Sequence, residues 1–280
     1  MTLTAVALQP MGPAHLTPVQ RLSAAVGWPH RVEDWAFALR LGQGLVALEG
    51  DSVVGTIAWW PFGAHHATLG LIIVAPQLQG RGIGGQLMDA ALMQLGARSV
   101  MLNATAEGLR LYAKFGFQPI GKIRQHQGTP RAAASVTRIE GGRLRPLQRD
   151  DLAALDERAS GLPRAALLGA IAEAGTGLVL ETADGIAGYA FCRRFGRGQV
   201  IGPVVAPDQQ SAQSLIAAWL ARNGSMFQRI DTTAQGGLSD WLADRGLPQC
   251  DEVIAMVRGT APHTSQDAPK VFALASQALG

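Results

Sequence analysis

Four glycines fall within six residues at Gly80, Gly82, Gly84 and Gly85, with Arg81 among them. Glycine at such density frees backbone N–H groups to close around an anion, because a β-carbon would block the turn or the approach of a phosphate. An apolar run, Leu69 to Val74, leads into the glycines, and a helical pattern, Leu87, Ala91, Leu92 and Leu95, leads out. Strand, glycine-rich turn and helix start together place the positive end of a helix beneath the ligand. The chemistry implied is the holding of a diphosphate. A nucleoside-triphosphate P-loop would carry a lysine after its glycines, and none follows here.

A second chemistry-bearing stretch lies downstream. Ser99 to Ala104 reads as a strand, and Leu111-Tyr112-Ala113-Lys114-Phe115-Gly116-Phe117 ends a short helix. Tyr112 can donate a proton there. The first motif reads Gln79-x-x-Gly82-x-Gly84, and the two motifs in this order resemble the acyl-CoA signature and the Leu-Tyr-x-x-x-Gly-Phe helix of the GCN5-related N-acetyltransferases (GNAT). Many members carry asparagine seven residues before the tyrosine, where this chain has Thr105. The string Leu102 to Gly108, with Trp28-Pro29-His30-Arg31, Glu33-Asp34-Trp35 and Trp59-Trp60-Pro61-Phe62-Gly63, is similar instead to a bacterial subgroup with two such domains in tandem.

The resemblance implies acetyl-CoA as cosubstrate and direct attack by the primary amine of a small-molecule acceptor. It places Ile72, Ile73, Val74, Gln79, Gly80, Arg81, Gly82, Ile83, Gly84, Gly85, Thr105 and Gly108 along the acyl-CoA. A backbone N–H at Ile73 or Val74, taken as Val74, would polarise the thioester carbonyl. Tyr112 would protonate the leaving thiolate as general acid. Relatives often use a strand glutamate as base, but Thr68 to Val74 contains no acid. His65 and His66 titrate in the useful range and are the nearest bases, with Glu33 and Asp34 behind them. Trp28, Glu33, Trp59, Trp60 and Phe62 are the candidates for acceptor contact. A sensor or scaffold that binds acyl-CoA without turnover, and an enzyme acting on protein N-termini or lysines, are the alternative readings.

The elements that must position these residues repeat. Gly44-Leu45-Val46 recurs as Gly177-Leu178-Val179, Val74-Ala75-Pro76 as Val205-Ala206-Pro207, and Phe115-Gly116-Phe117 as Arg245-Gly246-Leu247. Shared order argues for a duplicated fold. The reading is an α/β (α+β) chain of two GNAT-like domains, 1–138 and 139–280, each a mixed, mostly antiparallel twisted sheet flanked by helices. A fresh first strand is expected over 139–146 and a fresh first helix over 150–155. In the second copy the glycines become Gln210-Ser211-Ala212-Gln213-Ser214-Leu215, and Tyr112 becomes Leu242. That copy should keep the fold, lose the acyl-CoA site and wall the acceptor cleft.

Composition narrows the remaining classes. Over 280 residues the net charge is +3, and no block of like charges supports nucleic-acid binding. No apolar run approaches a membrane span of about 20 residues, and the N-terminus lacks a signal-peptide pattern. Cys192 and Cys250 make neither a disulfide framework nor a metal site. The expectation is a cytoplasmic, metal-free enzyme, with a homodimer allowed.

Overall fold

The computed structural model describes residues 6–131, 141–148 and 151–280. The first half runs β1 (Ala7–Pro10), α1 (Leu16–Ala25), α2 (Val32–Leu41), β2 (Gln43–Glu49), β3 (Ser52–Phe62), β4 (His66–Val74), α3 (Ile83–Leu95), β5 (Ser99–Ala104), α4 (Leu109–Lys114) and β6 (Gln118–Gly128). The second runs β7 (Gly142–Pro146), α5 (Ala153–Ser160), α6 (Ala165–Ala174), β8 (Gly175–Thr182), β9 (Gly185–Phe195), β10 (Gly198–Ala206), α7 (Gln209–Asn223), β11 (Gln228–Thr233), α8 (Ser239–Asp244), β12 (Gln249–Arg258) and β13 (Lys270–Ala273). The expected fresh strand over 139–146 is met from Gly142 onward, its first residues lying outside the described ones. The expected helix begins at Ala153 rather than 150.

All 13 strands form one sheet in the order β1-β2-β3-β4-β5-β12-β6-β11-β13-β10-β9-β8-β7. Its centre is exchanged between the halves. Strand β12 inserts between β5 and β6, and β6 pairs along its other edge with β11, Gln228 opposite Gly128. Neither half completes its sheet alone.

The duplication extends to single hydrogen bonds. At the end of α4 the N–H groups of Gly116 and Phe117 donate to the carbonyls of Ala113 and Tyr112. At the end of α8 those of Gly246 and Leu247 donate to Ala243 and Leu242. Gly116 and Gly246 have φ of 81° and 88°, the left-handed conformation that closes a helix and that glycine adopts without penalty.

Aromatic side chains build the core around this frame. Trp59, Trp60 and Phe62 on β3 are buried, and the indole N–H of Trp60 donates to the Ala38 carbonyl on α2 at 2.8 Å. These three were candidates for acceptor contact, and the structure removes them. The strand carrying them is buried on both sides, so their apolar area goes into packing. Among the described residues no helix is long and apolar enough to cross a membrane.

Candidate active site

The site begins with a break in β4. Against β3, Thr56 pairs with Ile73 but Ala58 pairs with Gly70, so β4 carries one extra residue and bulges at Leu71, which has φ of 52°. The Thr56 hydroxyl donates to the Leu71 carbonyl at 2.7 Å and pins the bulge. Along the other edge, β4 pairs with β5 only from His66 to Thr68. Beyond Thr68 the two parallel strands part, leaving an unpaired strand edge. The Ala75 N–H donates to Val54 on the β3 side. Alternation along a strand therefore turns the N–H groups of Val74 and Ile72 toward the open edge.

Next comes the glycine turn. Gly80 and Gly82 have φ of 77° and 83°, and a Cβ on either would meet nothing within 4 Å, so open space surrounds this backbone. Gly82 caps α3 with no side chain on its first N–H groups. Gln79 folds back, its amide donating to the Val74 carbonyl at 3.2 Å. A glycine cradle beside an open strand edge, with a helix N-terminus beneath it, fits a diphosphate with an extended arm.

Tyr112 stands on α4 across the parted strands. Its ring lies edge-on to Phe117 at 6.2 Å and over Gly108, where a Cβ would fall 2.5 Å from the ring. Gly108 therefore makes room for the tyrosine. Among the described residues the hydroxyl has no hydrogen-bond partner. Burial raises its pKa to about 12, so the proton is held throughout the neutral range.

Tyr112, Thr105 and Ile72 open into a chamber of about 250 Å³. Its far wall comes from the α1–α2 loop, with Trp28 and His30, and from the second half, with Phe195, Arg229 and the segment Ser276 to Ala278. That segment is held by the Asn103 amide, which donates to the Gln277 carbonyl at 2.7 Å. Gly70 lets it approach, for a Cβ there would come 3.2 Å from that of Ala278.

The chamber revises several sequence expectations. Val74, expected to face the thioester, shares the open edge but lies outside the chamber; Ile72, at the bulge, borders it. His65 and His66 lie before and at the start of β4, where His66 pairs with Ser99. Six residues separate His66 from Ile72, about 20 Å of strand, so neither histidine reaches Tyr112. Glu33 faces a shallow surface depression instead of the chamber. Asp34 is buried and spoken for, receiving the Arg31 guanidinium at 2.7 and 3.1 Å and the Gly196 N–H at 2.9 Å. Burial pushes its carboxyl up, but these bonds prevail and hold it below the ordinary range.

Trp28 borders the chamber, and beside it stands a residue the sequence reading quoted but gave no role. The His30 ring meets Trp28, Trp35 and Phe195 edge to face, at 5.4 to 5.9 Å. Its Nδ1 is buried without a partner. Burial, then the Arg229 charge, push the imidazole down to about 4 against the pull of Asp34, so it is neutral at physiological pH. Its position in Trp-Pro-His-Arg, just ahead of α2, was the available signal.

The second half has closed the equivalent site twice over. Strands β10 and β11 pair in parallel at Gln199 and Val200 and then part, as β4 and β5 do. Here β13 fills the gap, pairing with β10 and touching β11 at Thr232. Where the first half keeps a vacant helix start, the Asp208 carboxylate accepts from the Ser211 N–H at 2.7 Å and caps α7 itself. Leu242 is fully buried.

A bulged, parted strand pair with a glycine turn and a helix-borne tyrosine defines an acyl-CoA-type transferase fold in the first half, and the second half repeats its parted strand pair without the glycine turn or the tyrosine. Models of the acetyltransferase (GNAT) domain match residues 40–119 and 152–273. The chain belongs to the GNAT acyltransferases and carries two such domains in tandem. It is 29% identical over 280 residues, 95% of each chain, to an uncharacterised N-acetyltransferase, YitH, of Bacillus subtilis (strain 168). It is 27% identical over 272 residues, 89% of this chain and 90% of the other, to a holothin acyltransferase of Pseudoalteromonas sp. (strain SANK 73390). Among solved structures, a putative acetyltransferase from Pyrococcus horikoshii superposes with a TM-score of 0.82 at 19% identity, covering 100% of this chain and 98% of that one. A tandem GNAT protein from the clavulanic acid biosynthesis pathway does so with a TM-score of 0.63 at 14% identity, covering 94% and 100%. At these identities the structures show the shared fold.

Proposed function

We propose that the first half transfers an acetyl group from acetyl-CoA to the primary amine of a small molecule held in the chamber. One observation supports this reading most: Ile72 on the open β4 edge and Tyr112 border one chamber, and the same strand edge runs on through Val74 toward the glycine turn. When bound, acetyl-CoA supplies an activated thioester. The backbone from Gly80 to Gly85 holds its diphosphate, with Arg81 adding charge from the surface. Ile72 and Val74 offer their edge N–H groups to the extended arm. Ile72, at the bulge, is the donor to the developing oxyanion, in place of Val74. Tyr112 gives its proton to the departing sulfur; desolvation raises the proton affinity of phenolate and thiolate alike.

The two units meet near residue 138, within a stretch outside the described residues. The second serves as the acceptor wall through Phe195, Arg229 and Ser276 to Ala278. A chamber walled by both halves favours a small molecule over a protein lysine or N-terminus. The holothin acyltransferase among the relatives is in keeping with this. The test is release of free thiol from acetyl-CoA against a panel of amines, with the acetylated product identified by mass spectrometry. Thiol release that no amine stimulates, with acetyl-CoA binding intact, refutes transfer and favours a sensor.

A further inference from the structure

The proposed transfer leaves the proton on the acceptor nitrogen without an evident base, and the chamber wall suggests why. Asp251 is the carboxylate that borders it among the described residues, and it is exposed at the rim, accepting from the Glu252 N–H at 2.8 Å. Within the wall stand neutral groups: Tyr112, His30, Gln125, Gln127, Asn103 and Gln277. Arg229 reaches the wall with its fork already spent on Asp231, at 3.0 to 3.1 Å. Behind Phe195 lies Arg193, buried between the rings of Phe37 and Phe195 at 4.7 and 5.1 Å, with Nε unpartnered. Of the charges near His30, Asp34 is balanced by Arg31 and Asp231 by Arg229, so the excess, Arg193, is positive.

A chamber of this kind rejects an ammonium ion, since a buried cation without a counter-ion is costly. Arg197 also borders the chamber, exposed and with no carboxylate partner among the described residues, and adds to that positive excess. We infer that the acceptor is an amine already uncharged at neutral pH, an arylamine or heteroarylamine small enough for the chamber and flanked by Trp28, His30 and Phe195. This rests on the transfer reading and names the substrate class of that site.

The missing strand acid then ceases to be a defect. The nitrogen lone pair attacks the thioester carbon directly, and a C–N bond forms. The adduct nitrogen, now cationic and strongly acidic, gives its proton to water. The C–S bond breaks, sulfur keeps the electron pair and takes the Tyr112 proton, and solvent exchange restores the phenol. A lysine-like amine, with a pKa of about 10.4, would by contrast be neutral to roughly one part in 10³ at pH 7.

The test compares aniline, benzylamine and glycine as acceptors with acetyl-CoA at pH 7. Aniline should exceed benzylamine in kcat/KM by about tenfold or more. Preference for benzylamine or glycine overturns the inference while leaving transfer standing; turnover of no amine, with acetyl-CoA bound, overturns transfer itself. Gln127→Glu adds a carboxylate to the wall at nearly constant shape. It should move the aniline-to-benzylamine ratio toward benzylamine by about tenfold. An unmoved ratio in a variant of unchanged Tm refutes the electrostatic argument.

Discussion

Replacing Tyr112 with phenylalanine deletes one atom whose role can be separated from packing. The ring keeps its contacts with Phe117 and Gly108, and the hydroxyl has no hydrogen-bond partner among the described residues. Unfolding free energy should therefore change by no more than about 0.5 kcal/mol. Loss of a placed general acid should lower kcat by about 10²–10⁴, or roughly 3–5 kcal/mol of barrier. KM for acetyl-CoA should stay within about twofold, because the cradle is separate from the ring. With the phenol at about 12, the wild type should show no alkaline fall in rate from this group below about pH 10. Gly108→Ala supplies the companion measurement: its Cβ would sit 2.5 Å from the ring, so the tyrosine must turn away and kcat should fall with the hydroxyl still present. Steady-state kinetics and urea unfolding on the three proteins decide the matter. A Tyr112→Phe enzyme with wild-type kcat, or one whose loss tracks a loss of stability, refutes the assignment.

Four further outcomes are expected. His30, neutral in the fold and lowered to about 4 against an ordinary 6.5, binds fewer protons folded than unfolded between those values. Stability should thus fall as pH drops from about 6.5 to 4, by roughly 2–3 kcal/mol more than in His30→Gln when measured by urea titration. Gly82→Ala forces a side chain into φ of 83° and should cost about 1–2 kcal/mol, with KM for acetyl-CoA rising in steady-state assays. Asp208→Ala removes a helix cap and should cost about 1 kcal/mol by thermal unfolding, with kcat unaltered. Gly70→Val presses on Ala278 and should raise KM for the acceptor while sparing that for acetyl-CoA, a split that product assays resolve.

How far the residues announce this site depends on whether their role is local. The glycines and Tyr112 are legible because a turn conformation and a helix position are set by near neighbours. Gly108 is legible as a site residue, although its contact with the tyrosine ring emerges only in three dimensions. The bulge is not legible, since Leu71 adopts its conformation through pairing with β3 and the Thr56 hydroxyl. That shift of edge geometry brings Ile72, and not Val74, to the chamber. Trp59 and Trp60 read as surface aromatics because Pro61 and Gly63 suggest a loop, whereas β3 continues through Pro61 into a buried centre. His65 and His66 are of a suitable residue type, but the far end of a strand is far in space. His30 escapes because its surroundings include Phe195 and Arg229, which are 165 and 199 residues away in sequence.

The exchanged strands also set a clock on biosynthesis. When β6 leaves the ribosome its two neighbours do not yet exist: β11 begins 100 residues later and β12 begins 121 later, counted from Gly128 to Gln228 and Gln249. At about 5–20 residues per second, the nascent first half waits roughly 6–24 s with the free edge of β5 and both edges of β6 unpaired. Asn103, which anchors Gln277 in the chamber wall, waits longer still. Acceptor pocket and sheet closure are therefore late events, completed together by the last strands made. A chain stopped after residue 131 would carry the cradle and the tyrosine, yet present three raw strand edges to whatever it meets first.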